Sequence, residues 1–98
     1  MIRYEVTLDV DPARVSGVAE YMRDVHIPEI FATGCFRAIR FERASATRLR
    51  TSYVAVRAAD LEHYLQQHAP ALRAAFQARF PSGVSVTRET WTDVAVWE

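Results

Sequence analysis

Three histidines, one cysteine, several arginines and a few strand tyrosines are the residues of this 98-residue chain that could do chemistry. His26 leads them, in the stretch "VHIPEI", two residues before Pro28. An imidazole titrates near neutrality, so it can take or give a proton at pH 7. At a helix end, which Pro28 implies, the dipole would favour its charged form. The alternative is a structural side chain that caps carbonyls before the proline. Glu29 could orient the imidazole in the manner of a general-base pair. As an early acid of a following helix it would only complement that helix's dipole, and this reading is preferred.

Arg37, Tyr53 and Glu5 are the strand residues that could complete such a site. An arginine there can hold a carboxylate or an enolate, and a tyrosine hydroxyl can donate to a developing oxyanion. Tyr53 shares parity with Leu49, Thr51 and Ala55, whereas Val54 and Val56 read as the helix-facing set. Tyr53 is therefore expected to point away from the helices. Arg37 shares parity with Ile39 and Phe41, an ambiguous mixture, and Glu5 lies opposite the apolar set, toward a cavity or water.

The remaining candidates read as structural. Cys35 has no basic neighbour in sequence and reads as a small buried hydrophobe. His63, among charged residues, reads as solvated, and His68, on an apolar stripe, as packed and hydrogen-bonded. Three histidines and one cysteine at these spacings do not make a zinc site, so no metal and no cofactor are expected. A haem could take His26 or His68 as a ligand, but nothing in the sequence favours one. There is no glycine-rich phosphate loop, no nucleophile-elbow serine and no H-E-x-x-H helix.

These residues need elements to position them. Ile2, Tyr4, Val6, Leu8 and Val10 alternate with polar residues, which predicts a half-buried strand over 2–10. Asp11 and Pro12 supply an N-cap and a first-turn proline, and apolar residues at helical spacing predict a helix over about 12–26. Pro28 should break or kink it, and Gly34 should end the following turn in a left-handed conformation. Residues 35–44 and 49–58 read as two strands joined by the hairpin link "SATR". Leu61, Tyr64, Leu65, His68, Leu72 and Phe76 share one side of a helix that Pro70 must kink or split. After the turn "FPSG", residues 84–97 alternate as a long last strand, with room for a bulge near the middle. The order is β-α-β-β-α-β, an α+β ferredoxin-like domain spanning residues 1–98, with a four-stranded antiparallel sheet and helices on one face.

That arrangement leaves one sheet face without cover. Trp91 and Trp97 share it with Glu5 and other polar residues, which suits contact with a partner more than a wetted surface. Two sheets closed face to face would make a barrel, with the tryptophans as interface anchors. Twelve basic residues, all arginine, balance twelve acidic ones, which argues against nucleic-acid or membrane-surface partners. The absence of lysine excludes Schiff-base chemistry on a side chain. With one cysteine, no bilayer-length apolar run and no signal-peptide pattern, a cytoplasmic location is expected.

"YMRDVHIPEI" followed by "ATGCF" resembles the helix-one signature of the dimeric α/β-barrel superfamily, in which an aromatic precedes a histidine and a proline follows two residues later. Together with "DLEHYLQQHAPALRAAFQARFP", it is similar to a family of small bacterial proteins of unknown function in that superfamily, along nearly the whole chain. The resemblance implies a homodimer whose two sheets enclose a central cavity, with His26 at its mouth. The superfamily's chemistry ranges from cofactor-free monooxygenases to polyketide cyclases and lactone isomerases, so the fold implies no reaction. The expected function is a small-molecule-binding homodimer, with scope for a cofactor-independent enzyme that uses His26 as acid or base and Tyr53, Arg37 or Glu5 in support. The competing expectation is a non-enzymatic interaction or regulatory module with a filled barrel.

Overall fold

The structure, a computed structural model, describes residues 1–98. Strand β1 (Ile2–Val10) is followed by a helical stretch made of α1 (Val15–Tyr21), a π-helical turn (Met22–His26) and α2 (Ile27–Phe31). Strands β2 (Ala38–Arg43) and β3 (Arg48–Ala55) form the hairpin. Helices α3 (Ala58–Gln67) and α4 (Ala69–Arg79) then lead to β4 (Val84–Thr92). The four strands make one antiparallel sheet in the order β2-β3-β1-β4. This is the ferredoxin-like arrangement that the order of elements predicts.

The first helical stretch departs from expectation in an informative way. Asp11 accepts a hydrogen bond from the Ala13 backbone N–H through Oδ1 at 3.0 Å, but the helix itself begins only at Val15. Pro28 does not end it. A proline ring inside a helix collides with the carbonyl four residues earlier and leaves that acceptor unpaired. Here the backbone widens just before the proline: the Ile27 N–H bonds back to the Met22 carbonyl, five residues away. His26 and Ile27 keep right-handed helical dihedrals, and the chain runs on to Phe31. The extra residue in the turn absorbs the proline, where a break or a kink was expected. His26 is consequently inside a continuous helical stretch, and its backbone is not at a helix end.

Gly34 has φ +75° and terminates this stretch as its position predicts. Gly83, at φ +82°, closes the turn before β4; a side chain there would press against Arg14 at 3.2 Å. Pro70 divides the second helical region as foreseen, with His68 at the joint. The last strand shows an unbroken register against β1 from Val84 to Thr92, without a bulge, and stops short of Trp97.

Register decides which side chains face the helices. Tyr4 lies opposite Tyr53, Val6 opposite Thr51 and Leu8 opposite Leu49. Since Tyr4, Leu8 and Val10 are buried under the helices, Leu49, Thr51, Tyr53 and Ala55 share that face. Val54 pairs with Arg3 on the opposite side, and Val56 is exposed. The facing of β3 is thus the reverse of that read from the sequence, where Val54 and Val56 looked like the apolar set. The core has two lobes, one around Tyr4, Phe36, Tyr53 and Tyr64, the other around Leu8, Val18, Met22 and Leu49.

Candidate functional site

Between the two lobes the helices do not close on the sheet. A cavity of about 480 Å³ remains, within the 300–1,000 Å³ usual for small-molecule sites. Its floor is the helix-facing side of the sheet: Tyr4, Val6 and Leu8 from β1, Tyr53 from β3, and Val84, Val86 and Arg88 from β4. Met22 and His26 come from the π-helical turn, Tyr64 from α3, and Arg73, Phe76 and Gln77 from α4. This cavity lies within the chain, on the helix-covered face, a different place from the between-sheets cavity that the resemblance implies.

His26 is at its edge, packed between Tyr21 and Phe76 with ring centroids 6.0 and 5.6 Å away. Its Nδ1 is buried and has no hydrogen-bond partner. A neutral imidazole can leave one nitrogen as a bare acceptor, whereas an imidazolium needs a partner for both N–H groups. Burial accordingly lowers the His26 pKa from its ordinary value near 6.5 to about 4. The helix-end dipole expected to favour the charged form is absent, because the helix continues past this residue. At neutral pH, His26 is an uncharged acceptor. Glu29 is an exposed first-turn acid of α2, but the helix runs on unbroken from His26, so no free N-terminus is present for it to complement.

Two guanidinium groups supply the cavity's charge, and no carboxylate lines it. Arg73 donates to the Tyr4 hydroxyl at 2.8 Å, a link between α4 and β1. Arg88 occupies the helix-facing phase of β4, opposite Val6. Three tyrosines and Gln77 complete the polar lining. Burial, then the neighbouring Tyr4, raises the Tyr64 pKa to about 12, and burial likewise pushes Tyr53 up. Both phenols stay protonated in the physiological range and serve as donors, not bases.

Of the residues singled out in sequence, His26 and Tyr53 meet at this cavity; Arg37 and Glu5 do not. Arg37 precedes β2, is exposed, and directs its guanidinium to the Met1 sulfur at 3.4 Å. Glu5 lies on the helix-free face, 3.6 Å from Arg50 and 4.0 Å from Arg3. Sequence reasoning missed Arg73, Arg88, Tyr4 and Tyr64. Arg88 did leave a signal: it is the one charged residue in the phase Val84, Val86, Arg88, Thr90, Thr92. A charge in an apolar phase either breaks the strand or serves a site.

A second cluster was not visible in the sequence at all. Cys35, His63 and His68 bring one potential ligand atom each within 4.8 Å of one another. Spacing along the chain had argued against any such grouping. The histidines are five positions apart, which in an unbroken helix would turn them to different faces. The joint at His68, with φ −118°, swings its ring back to 5.4 Å from that of His63. His63 is exposed, as expected, and His68 stacks on Tyr64.

Comparison with known proteins places this geometry. A family model described as "Domain of unknown function (DUF4286)" matches residues 1–94. No curated protein matches in sequence. Among solved structures, a dimeric ferredoxin-like protein from an uncultured marine organism is similar with a TM-score of 0.78 at 4% identity, covering 100% of this chain and 99% of the other. SnoaB, a cofactor-independent oxygenase from Streptomyces nogalater, is similar at 0.68 and 14% identity, covering 97% and 94%. A monooxygenase from Streptomyces coelicolor in complex with nanaomycin D is similar at 0.66 and 14% identity, covering 99% and 92%. At such identities the likeness establishes the fold.

Proposed function

The chain belongs to the DUF4286 family, and from that premise we propose that it binds a small, partly apolar, acidic or enolisable molecule in the cavity under α4. The same reading makes His26 the group that exchanges a proton with the ligand, without a cofactor. The observation that carries it is the combination of two guanidinium groups, an unpartnered neutral imidazole and no lining carboxylate in one cavity. An anion entering there meets Arg73 and Arg88, and the apolar wall of Val84, Val86 and Phe76 accepts a flat hydrocarbon body. A negative charge beside His26 raises its pKa and makes it a better base at the moment a ligand is present. Tyr53 and Tyr64 would donate hydrogen bonds to a developing oxyanion. SnoaB, a cofactor-independent oxygenase of the same fold, supports a cofactor-independent enzyme.

Titration calorimetry with hydroxylated aromatic carboxylates and their methyl esters tests the reading. The acids should bind at least about 10-fold more tightly than the esters, since hydrogen bonds to a charged group contribute about 1.5–3 kcal/mol. Arg88→Met should remove that preference. Equal affinity for acid and ester, or a preference that survives Arg88→Met, would sink the proposal.

The same proposal includes pairing with a second copy through the helix-free face. Trp91 is 51% exposed there, beside Glu5, Arg50 and Glu89, and Val94 and Trp97 project from the tail that follows. The protomer exposes 6366 Å², roughly a tenth more than the ~5,700 Å² that size scaling gives a monomer of this mass. A fold neighbour is described as dimeric. Sedimentation at micromolar concentration should give the mass of two chains. Trp91→Glu should weaken association by roughly 30-fold, the effect of losing one interface anchor. A monomeric wild type would exclude the pairing.

A further inference from the structure

We propose that Cys35, His63 and His68 form a binding site for a divalent transition-metal ion of the zinc class, independent of the cavity under α4. The three donors come from two separate segments, the turn entering β2 and the joint between α3 and α4. Their ligand atoms already lie within 4.8 Å of one another. Tetrahedral coordination with metal–nitrogen near 2.1 Å and metal–sulfur near 2.3 Å needs donors roughly 3.4–3.7 Å apart. Rotations of the two imidazoles and the thiol, contracting the triangle by about an ångström, meet that requirement. One thiolate with two imidazoles is a donor set that zinc, cobalt(II) and related borderline-soft ions prefer to magnesium or calcium.

The surroundings fit such a role. Cys35 is buried, so its sulfur can coordinate from the protein side, while exposed His63 leaves an entry path and an open fourth position for water. The Cys35 Sγ lies 3.9 Å from the Thr33 carbonyl oxygen, a weak contact that coordination would replace. Binding would deprotonate the thiol, the proton passing to solvent, and leave both imidazoles neutral. His68 stacks on Tyr64 with rings inclined at 25°, and Tyr64 is part of the cavity wall. An ion at this point ties the turn after Gly34 to the helical joint and steadies that wall, whatever the cavity binds.

Cobalt(II) titration of tag-free, chelator-treated protein kept reduced is the test. One equivalent should produce the visible bands of four-coordinate cobalt together with a thiolate-to-cobalt charge-transfer band, both bleached by zinc. Cys35→Ser should abolish the charge-transfer band. His63→Ala, at an exposed position, should weaken affinity by more than about 10-fold, the least that a lost partner of a metal ligand costs. His26→Ala, outside the cluster, should titrate like the wild type. A wild-type titration without the charge-transfer band, or a His63→Ala curve that overlays it, overturns the site. Both readouts are blind to whether the cavity binds an acid, so this site and the cavity reading stand or fall separately.

Discussion

Tyr53→Ala is expected to lower the unfolding free energy by about 3–5 kcal/mol, the range for deleting a large buried aromatic. For a domain of this length that corresponds to a fall in Tm on the order of 20 °C. The physical cause is the loss of a ring that is 2% exposed and meets three others. Its centroid lies 5.1 Å from that of Phe36, 5.7 Å from Tyr4 and 6.5 Å from Tyr64. No neighbouring side chain can fill the space without disturbing the floor of the cavity. Tyr53→Phe separates packing from the hydroxyl, and should cost no more than about 1 kcal/mol, because the ring contacts remain. Denaturant unfolding of both variants checks the pair. A Tyr53→Ala protein as stable as the wild type would mean that this residue lies on the helix-free face, and that the register opposite Tyr4 is wrong.

The second large effect is a pH dependence of stability that His26 imposes. Its pKa is about 4 when folded, against an ordinary value near 6.5. Between those values the unfolded chain holds a proton at this position that the folded chain lacks, so stability rises with pH. The contribution is complete above about pH 6.5, declines as the pH falls toward 4, and declines no further below that. The steepest slope this group can supply is about 1.4 kcal/mol per pH unit, and the whole effect stays under about 3 kcal/mol because the ring is only partly shielded from water. Other groups titrate in acid too, so the readout is the difference between wild type and His26→Gln. Urea unfolding from pH 7.5 to 4.5 should show a smaller loss for His26→Gln. In parallel, the His26 ring proton should titrate by NMR near pH 4, and move upward when an anionic aromatic occupies the cavity. A midpoint between 6 and 7 in the free protein would show that the imidazole is solvated, and would remove the reason for treating it as a poised base.

Much of the fold was legible in the chain. The alternation of β1 has a strict period of two with the apolar residues in one phase, so its facing follows from local pattern alone. Gly34 and Pro70 acted as local backbone constraints, and they produced a left-handed terminator and a divided helix in their expected places. Pro28 was read as a break or a kink, because its clash can be relieved in more than one way. A break is the commoner; a widened turn depends on packing around Met22 and Ile30, which local sequence does not encode. The site was less legible. His26 was singled out from its residue type and its proline and does line the cavity, yet burial, not a helix terminus, governs its electrostatic character.

What the sequence determined by itself was the order of elements, the α+β class and the fact that one sheet face goes uncovered by helices. These depend on periodicity and on backbone geometry within a few residues, both of which are local. Only the tertiary structure decided the facing of β3, where both phases are mixed and pairing with β1 chooses between them. It also decided that the cavity lies beneath the helices, that Arg73 and Arg88 share it, and that Cys35 approaches two histidines from a different segment. Those are meetings between residues far apart along the chain. They follow from the closing of the sheet and the angle at the His68 joint, and no local pattern carries that information.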